Sequence, residues 1–312
     1  MTAARVRAST AHRARTEREG EKRMREKGKG KAMLWFAVFA ALAAAGVLGL
    51  VVNLQGLRFE RRVARDARAL FAQPAAPPAA PAALESLPAP VRRYLEVSGA
   101  ARHAPIRAAR LRHGGTFLAK LGGAPMAVRG EQYLAADPPG FVWWGRIRAA
   151  PGVWIDGRDR AIAGEGNMLV RAASTVTLAD ARGPELDQGA LLRLLGEATW
   201  IPTLLRDPRY VTWAPLDEGS ARATLRVGGR EVSATFHFGP DGLPARFTAE
   251  RFRDVDGKGV LTPFTGSCAD FREVDGVRVP FRLGASWVID GAPLPYAQWQ
   301  VERVELDRAE PW

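Results

Sequence analysis

Apolar residues change their spacing twice along this chain. Residues 32–52, AMLWFAVFAALAAAGVLGLVV, contain no charge and no proline. At about 1.5 Å per residue a helix of that length spans roughly 30 Å, the thickness of a bilayer core. In the following stretch, LRFERRVARDARALFA (57–72), Phe59, Val63, Ala67 and Leu70 recur at helical spacing with arginines around them. This predicts a juxtamembrane amphipathic helix over 53–73, either lying on the lipid surface or continuing the span into solvent. QPAAPPAAPAA (73–83) tends to extend rather than pack, so 74–86 is expected to be a stalk and 87–312 the folded domain.

Within that domain the period becomes two. Ala221, Ala223, Leu225 and Val227 alternate with polar residues, as do Val232, Ala234, Phe236 and Phe238, and then Phe281, Leu283, Ala285 and Trp287. An earlier run puts Phe141, Trp143 and Ile147 on one side. Turn residues punctuate these runs: Gly228-Gly229, and Asp-Gly at 156, 241, 256, 275 and 290. Asp-Gly readily adopts the positive φ that two-residue hairpins require, so each pair, Asp275 included, is expected at a corner. Only two segments break the alternation. LPAPVRRYLEVSG (87–99) places Val91, Tyr94 and Leu95 on one helical face, and 183–207 carries a stripe of Leu191, Leu192, Leu195 and Ala198. Pro184 suits the start of the second helix and Pro202 its end. The expectation is a mainly β, α+β fold: a curved antiparallel half-barrel of roughly nine to eleven strands, with the 184–206 helix against its concave face.

Charge alters the picture at one end. The chain has 45 Lys+Arg against 33 Asp+Glu, yet residues 1–31 alone hold eleven Lys/Arg and four Glu. A basic tail attracts nucleic acid or anionic lipid equally. The adjoining apolar run decides for the membrane, and no nucleic-acid partner is expected. The larger positive block precedes the span, which favours a cytoplasmic N-terminus and an extracytoplasmic C-terminal domain on the bacterial inner membrane. Against this stand Arg58, Arg61, Arg62, Arg65 and Arg68 on the far side. A cleaved signal peptide is the alternative, although its core is usually only about 7–15 residues. The single cysteine, Cys268, allows no internal disulfide and reads as a small buried apolar residue.

Candidate chemistry is sparse. His12, His103, His113 and His237 form no metal-ligand motif, and no metal is expected. Read as a calcium loop, residues 254–265 put Lys258 at a ligand position and Thr265 where a bidentate Glu belongs. No phosphate-cradling or nucleophile-elbow motif appears, so no cofactor is expected. One polar pair stands out: Arg193 and Glu197, four apart on the long helix, with Trp200 beyond. On the concave side Glu197 would be a carboxylate against an apolar wall and a weak candidate for a catalytic general acid. On the outside the two form a surface pair, which is the favoured expectation. Asp156, Asp159 and Glu165 are expected as solvated loop charges, or as partners of that helix face. Trp143, Trp200, Phe236 and Trp287 are the ligand-lining candidates, unless they simply fill a closed core.

The stretches LPAPVRRYLEVSG, ADPPGFVWWGRI, GRDRAIAGEGNM, GPELDQGALLRLLGEATWIPTLL, FTGSCADFREVDGVRVP and LPYAQWQV together resemble a family of bacterial membrane-anchored proteins without an established activity. The architecture also resembles the half-barrel of LolA/LolB-type lipoprotein carriers, in which a curved sheet and covering helices enclose an apolar cavity for acyl chains. That likeness implies an envelope module binding a lipid or other apolar ligand. A cell-envelope hydrolase using Glu197 and a structural interaction protein are the alternatives.

Overall fold

The computed structural model describes residues 2–312, with side chains at 22, 24, 25, 33 and from 35 onward. Most basic side chains of the tail therefore lie outside the described residues. Helix α1 (Thr2–Phe71) contains the apolar run, and its segment Trp35–Phe71 is long and apolar enough to cross a membrane. Trp35, Phe36, Phe39 and Leu48 have exposed side chains there. The chain forms two compact units, one up to Gln55 and one over Gly56–Trp312.

The second unit is built on one sheet. After helix α2 (Ala89–Val97) come β1 (Ala108–Phe117), β2 (Met126–Ala136), β3 (Pro139–Ala150), β4 (Val153–Ile162), β5 (Glu165–Ala172) and β6 (Val176–Ala181). Helix α3 (Pro184–Glu197) follows, with two 3₁₀ turns at Ala198–Trp200 and Pro202–Arg206. The remaining strands are β7 (Val211–Pro215), β8 (Ser220–Val227), β9 (Arg230–Phe238), β10 (Pro244–Val255), β11 (Lys258–Val274), β12 (Val277–Ile289) and β13 (Ala292–Leu306). All pair antiparallel in the order β6-β5-β4-β3-β2-β1-β13-β12-β11-β10-β9-β8-β7. The unit thus comprises two meanders, joined at the centre where β13 returns to β1. Helix α3 ties the outermost strands β6 and β7 together, which carries it across the concave face. Thirteen strands form rather than nine to eleven, because edge strands of five and six residues are too short for alternation to reveal.

Hairpin chemistry follows expectation at three Asp-Gly pairs. Asp256, Asp275 and Asp290 have φ of 48–53° and the glycines after them 78–86°, the doubly left-handed geometry of a tight hairpin turn. Asp156-Gly157 departs from it. The pair lies inside β4, where Asp156 is fully buried and accepts hydrogen bonds from Arg146, Trp154 and Ser174.

The folded unit also begins earlier than Leu87. Phe59, Val63, Ala67 and Leu70 pack on the convex face against Tyr133, Ala135, Val142 and Leu169. Asp66 pairs with Arg158 and Arg160, and Glu60 with Arg146. The apolar stripe at 59–70 therefore faces the sheet, neither lipid nor solvent. The Pro/Ala stretch is likewise strapped down rather than a free stalk. Ala76 N–H donates to Asp137, Ala82 N–H to the Arg206 carbonyl, and Arg209 donates to the carbonyls of Ala76 and Pro77. A proline-rich stretch leaves carbonyls without local backbone partners, and two arginines, Arg206 and Arg209, satisfy three of them.

The two ends of the half-barrel differ. At one end α2 buries Val91, Tyr94 and Leu95, and the Arg278 N–H donates to the Ser98 carbonyl beside the Asp275-Gly276 turn. Helix α3 packs on β3–β5 and β8–β10. The concave side of β12, β13 and β1 towards the opposite end carries no helix, and Phe117, Met126, Trp287 and Tyr296 are only half-buried there.

Candidate functional site

Three layers line the concave face from the plugged end outward. The innermost is sealed core. Trp200 is fully buried and donates its indole N–H to the Pro280 carbonyl at 2.9 Å. Phe236 is equally enclosed, between Trp213, Phe238 and Phe247. Both were expected to line a ligand site, and both fill space instead. Helix α3 approaches the sheet closely here. A side chain at Gly196 would run into the Phe247 ring, which explains a poor helix former inside the helix.

The middle layer is polar. Arg193 donates through Nε to Glu197 Oε1 at 2.9 Å, through Nη1 to Asp159 Oδ2 at 2.9 Å and through Nη2 to Gln132 Oε1 at 3.0 Å. Gln132 Nε2 completes the circuit to Glu197 Oε2 at 2.6 Å. The side chains of Arg193 and Glu197 are 15% and 9% exposed, so this is a buried network and not the expected surface pair. Strand alternation places Gln132 of β2 and Asp159 of β4 on the inner face, opposite the helix. Asp159 is therefore a strand residue that pairs with the helix, and only Glu165 among the three acids of that stretch is exposed. One guanidinium faces two carboxylates. Burial pushes the Glu197 pKa up, against the pull of Arg193. Burial alone would lower the Arg193 pKa, but Glu197 and Asp159 together raise it, so Arg193 remains a cation.

Above the network the Arg193 guanidinium lies 4.8 Å from the Phe141 ring centre and 5.1 Å from that of Trp143. The Trp143 indole lies over Gly145 and Gly157, which are paired across β3 and β4. Its N–H donates to His113 Nε2 at 2.8 Å, so Nδ1 carries the imidazole proton and donates to the Gly114 carbonyl. Burial pushes the His113 pKa down to about 4.

The outer layer is aromatic, with Phe264 buried and Phe117, Trp287 and Tyr296 half-open. Phe264, Trp287, Tyr296 and Phe117 form a run with ring centres 5.5–6.3 Å apart. Arg251 lies 5.2 and 5.8 Å from the centres of Phe264 and Trp287 and donates to the Tyr296 hydroxyl at 3.0 Å. It has no carboxylate at ion-pair distance among the described residues. Of the four lining candidates, Trp287 alone belongs to this layer. Phe117, Phe264, Tyr296 and Arg251 were missed, because alternation does not show where α3 ends and the uncovered face begins.

Two cavities lie elsewhere. One of about 610 Å³ runs between Leu57–Ala64 and Arg112, Arg129, Trp144 and Trp312, and one of about 430 Å³ is bordered by Gln73, Tyr210 and the β8–β9 turn. None of the four lining candidates borders either. Cys268 is buried and unpaired, as expected, with burial pushing its thiol up to about 12. No cluster of His, Cys, Asp or Glu that could hold a metal occurs among the described residues.

No curated protein matches the chain. Among solved structures it is similar to a DUF1329 family protein from Desulfovibrio piger (12% identity, TM-score 0.41, 71% of this chain and 94% of that one). It is also similar to a LolA superfamily protein from Nitrosomonas europaea (12%, 0.36, 70% and 94%). A putative outer membrane lipoprotein-sorting protein domain from Vibrio parahaemolyticus is a third (8%, 0.35, 70% and 93%). Residues 77–299, nearly all of the sheet and the helices within it, match a family of unknown function, DUF6544, and the chain belongs to that family.

Proposed function

We propose that this protein is a single-pass, inner-membrane-anchored module whose extracytoplasmic half-barrel binds an amphiphile, an acyl chain with an anionic head. The observation that carries the proposal is the aromatic run Trp287–Tyr296–Phe117, half-buried on the part of the concave face that no helix covers and continued inward by the buried Phe264. Soluble surfaces seldom leave stacked aromatics uncovered without a binding role. Arg251, stacked on that run with no carboxylate partner among the described residues, supplies the charge for an anionic head. Purification of the full chain in mild detergent followed by native mass spectrometry should reveal bound lipid, and Trp287→Ala with Tyr296→Ala should lose it. A wild-type protein that carries no lipid and takes up none from added anionic phospholipid would overturn the proposal. A reporter active only outside the cytoplasm, fused after Trp312, should give signal in this orientation.

The hydrolase alternative has one point in its favour, the raised pKa of a buried Glu197. However, both Glu197 oxygens are engaged, by Arg193 and Gln132, beneath Trp143. A general acid needs a free path to its leaving group, and lipid binding is the better-supported function.

A further inference from the structure

We infer that the convex face carries a second binding site, for a small zwitterion bearing an oxyanion and an ammonium, in the cavity of about 610 Å³ between residues 57–64 and the sheet. It shares no residue with the concave aromatic run. Arg112, Glu131 and Trp144 are paired across β1, β2 and β3, and Arg129 is two positions from Glu131, so all four side chains share the floor of the cavity. One wall is fixed in place. The Trp312 ring lies 4.2 Å from the Arg110 guanidinium and 4.1 Å from that of Arg112, and Arg110 also donates to the carbonyls of Glu310 and Pro311. A cavity of this volume suits a small molecule.

The charges that line it indicate the ligand. Arg112 pairs with Glu131 at 3.1 Å, and Glu60 with Arg146 at 3.6 Å. Arg61, Arg129 and Glu302 also border the cavity, and none of them has an opposite charge at ion-pair distance among the described residues. Arg129 stands directly opposite Arg146 in the β2–β3 ladder, where like charges repel. Arg146 is offset by Asp156 and Glu60, whereas Arg129 has no such partner. Glu302 leans over β1 from β13. Its Oε1 lies 3.0 Å from where a side-chain carbon on Gly114 would stand, and Gly114 is the ladder partner of Arg129. Neighbouring strands are about 4.8 Å apart, so a carboxylate and a cation occupy adjacent strands without pairing. An ion of one sign would satisfy one of them and repel the other. A ligand carrying both signs satisfies both.

The hydrogen-bond inventory favours an oxyanion as the negative end. The indole N–H groups of Trp144 and Trp312, both residues of the cavity wall, are buried without an acceptor. Buried donors in folded proteins are nearly always satisfied, and phosphate or carboxylate oxygens accept from indole and guanidinium alike. Arg61 and Arg129 then serve the oxyanion and Glu302 the ammonium, while Leu57 and Val63 offer apolar contact to the rest of the ligand. Phosphoethanolamine has this chemistry, whether free or as the head of a lipid.

The test uses the full chain in detergent, with isotope-labelled indoles assigned by single tryptophan-to-phenylalanine changes. O-Phosphoethanolamine should bind saturably and move the N–H resonances of Trp144 and Trp312 while leaving that of Trp287 in place. In calorimetry Arg129→Gln should weaken it about tenfold, the loss expected for one charge-assisted hydrogen bond. Glu302→Gln should weaken phosphoethanolamine several-fold yet tighten inorganic phosphate, since the carboxylate attracts the amine and repels the anion. Both side chains are exposed, so the fold tolerates either change. Dihexanoyl phosphatidylethanolamine moving the same two resonances would identify a lipid head as the source of the ligand. A response to phosphoethanolamine alone would identify a soluble one. No movement with either probe would overturn the inference, as would inorganic phosphate binding the wild type as tightly as phosphoethanolamine. So would loss of the response in Trp287→Ala with Tyr296→Ala, which would place the ligand on the concave face.

Discussion

Arg193 is the most informative single perturbation. Its guanidinium serves two carboxylates and the Gln132 carbonyl oxygen at 2.9–3.0 Å, and its side chain is 15% exposed. Arg193→Met keeps much of the aliphatic stem and the packing against Phe141 and Trp143, but leaves Glu197 and Asp159 facing each other without a counter-charge. Removing one partner from a buried ion pair typically costs about 3–5 kcal/mol, against under about 1 kcal/mol for a surface pair. Glu197→Gln should cost less, about 1–3 kcal/mol, since Arg193 retains Asp159 and the new amide can still accept from Gln132. The double mutant should be more stable than the sum of the two by about 1–3 kcal/mol, because without Arg193 a neutral Gln is preferable to a stranded carboxylate. Denaturant titration of the full chain in detergent, following tryptophan fluorescence across the four variants, measures all three quantities. An Arg193→Met cost under about 1 kcal/mol, or strict additivity, would refute a buried network.

Three further outcomes are expected. The folded His113 pKa of about 4 lies below its ordinary 6.5, so the imidazole gives stability that is present above pH 6.5 and lost as pH falls towards 4. This amounts to about 3 kcal/mol, and stability curves from pH 7.5 to 4 should be flatter by that amount in His113→Gln; parallel curves would contradict the assignment. Gly145→Ala places a methyl group inside the Trp143 ring and should lower stability by about 1–3 kcal/mol, whereas an unchanged melt would mean the indole is free to move. Gly276→Val, at φ 86°, should cost a similar roughly 1–3 kcal/mol while Asp275→Asn is nearly silent in the same melts, since asparagine tolerates the left-handed conformation that a β-branched residue does not.

Much of this molecule is legible in one dimension because its elements obey local rules. The apolar run at 32–52, the period-two strands, the helices at 89 and 184, and the corners at 256, 275 and 290 follow from side-chain alternation and backbone sterics, which neighbours along the chain determine. The site was legible only in part. Arg193 and Glu197 could be placed on one helical face, but whether that face met solvent or Gln132 and Asp159 depended on α3 tying β6 to β7, an arrangement no local pattern encodes. The same crossing sealed Trp200 and Phe236 beneath the helix and left Trp287 beyond its reach. Asp156-Gly157 has the dipeptide of a turn, yet in β4 the glycine makes room for a tryptophan two strand positions away. The stripe at 59–70 and the Pro/Ala stretch looked free because their partners, Leu169 and Arg209, lie about a hundred residues or more away in sequence. Long-range partners decide burial, and burial decides whether a charge is a surface ornament or a buried interaction worth several kcal/mol.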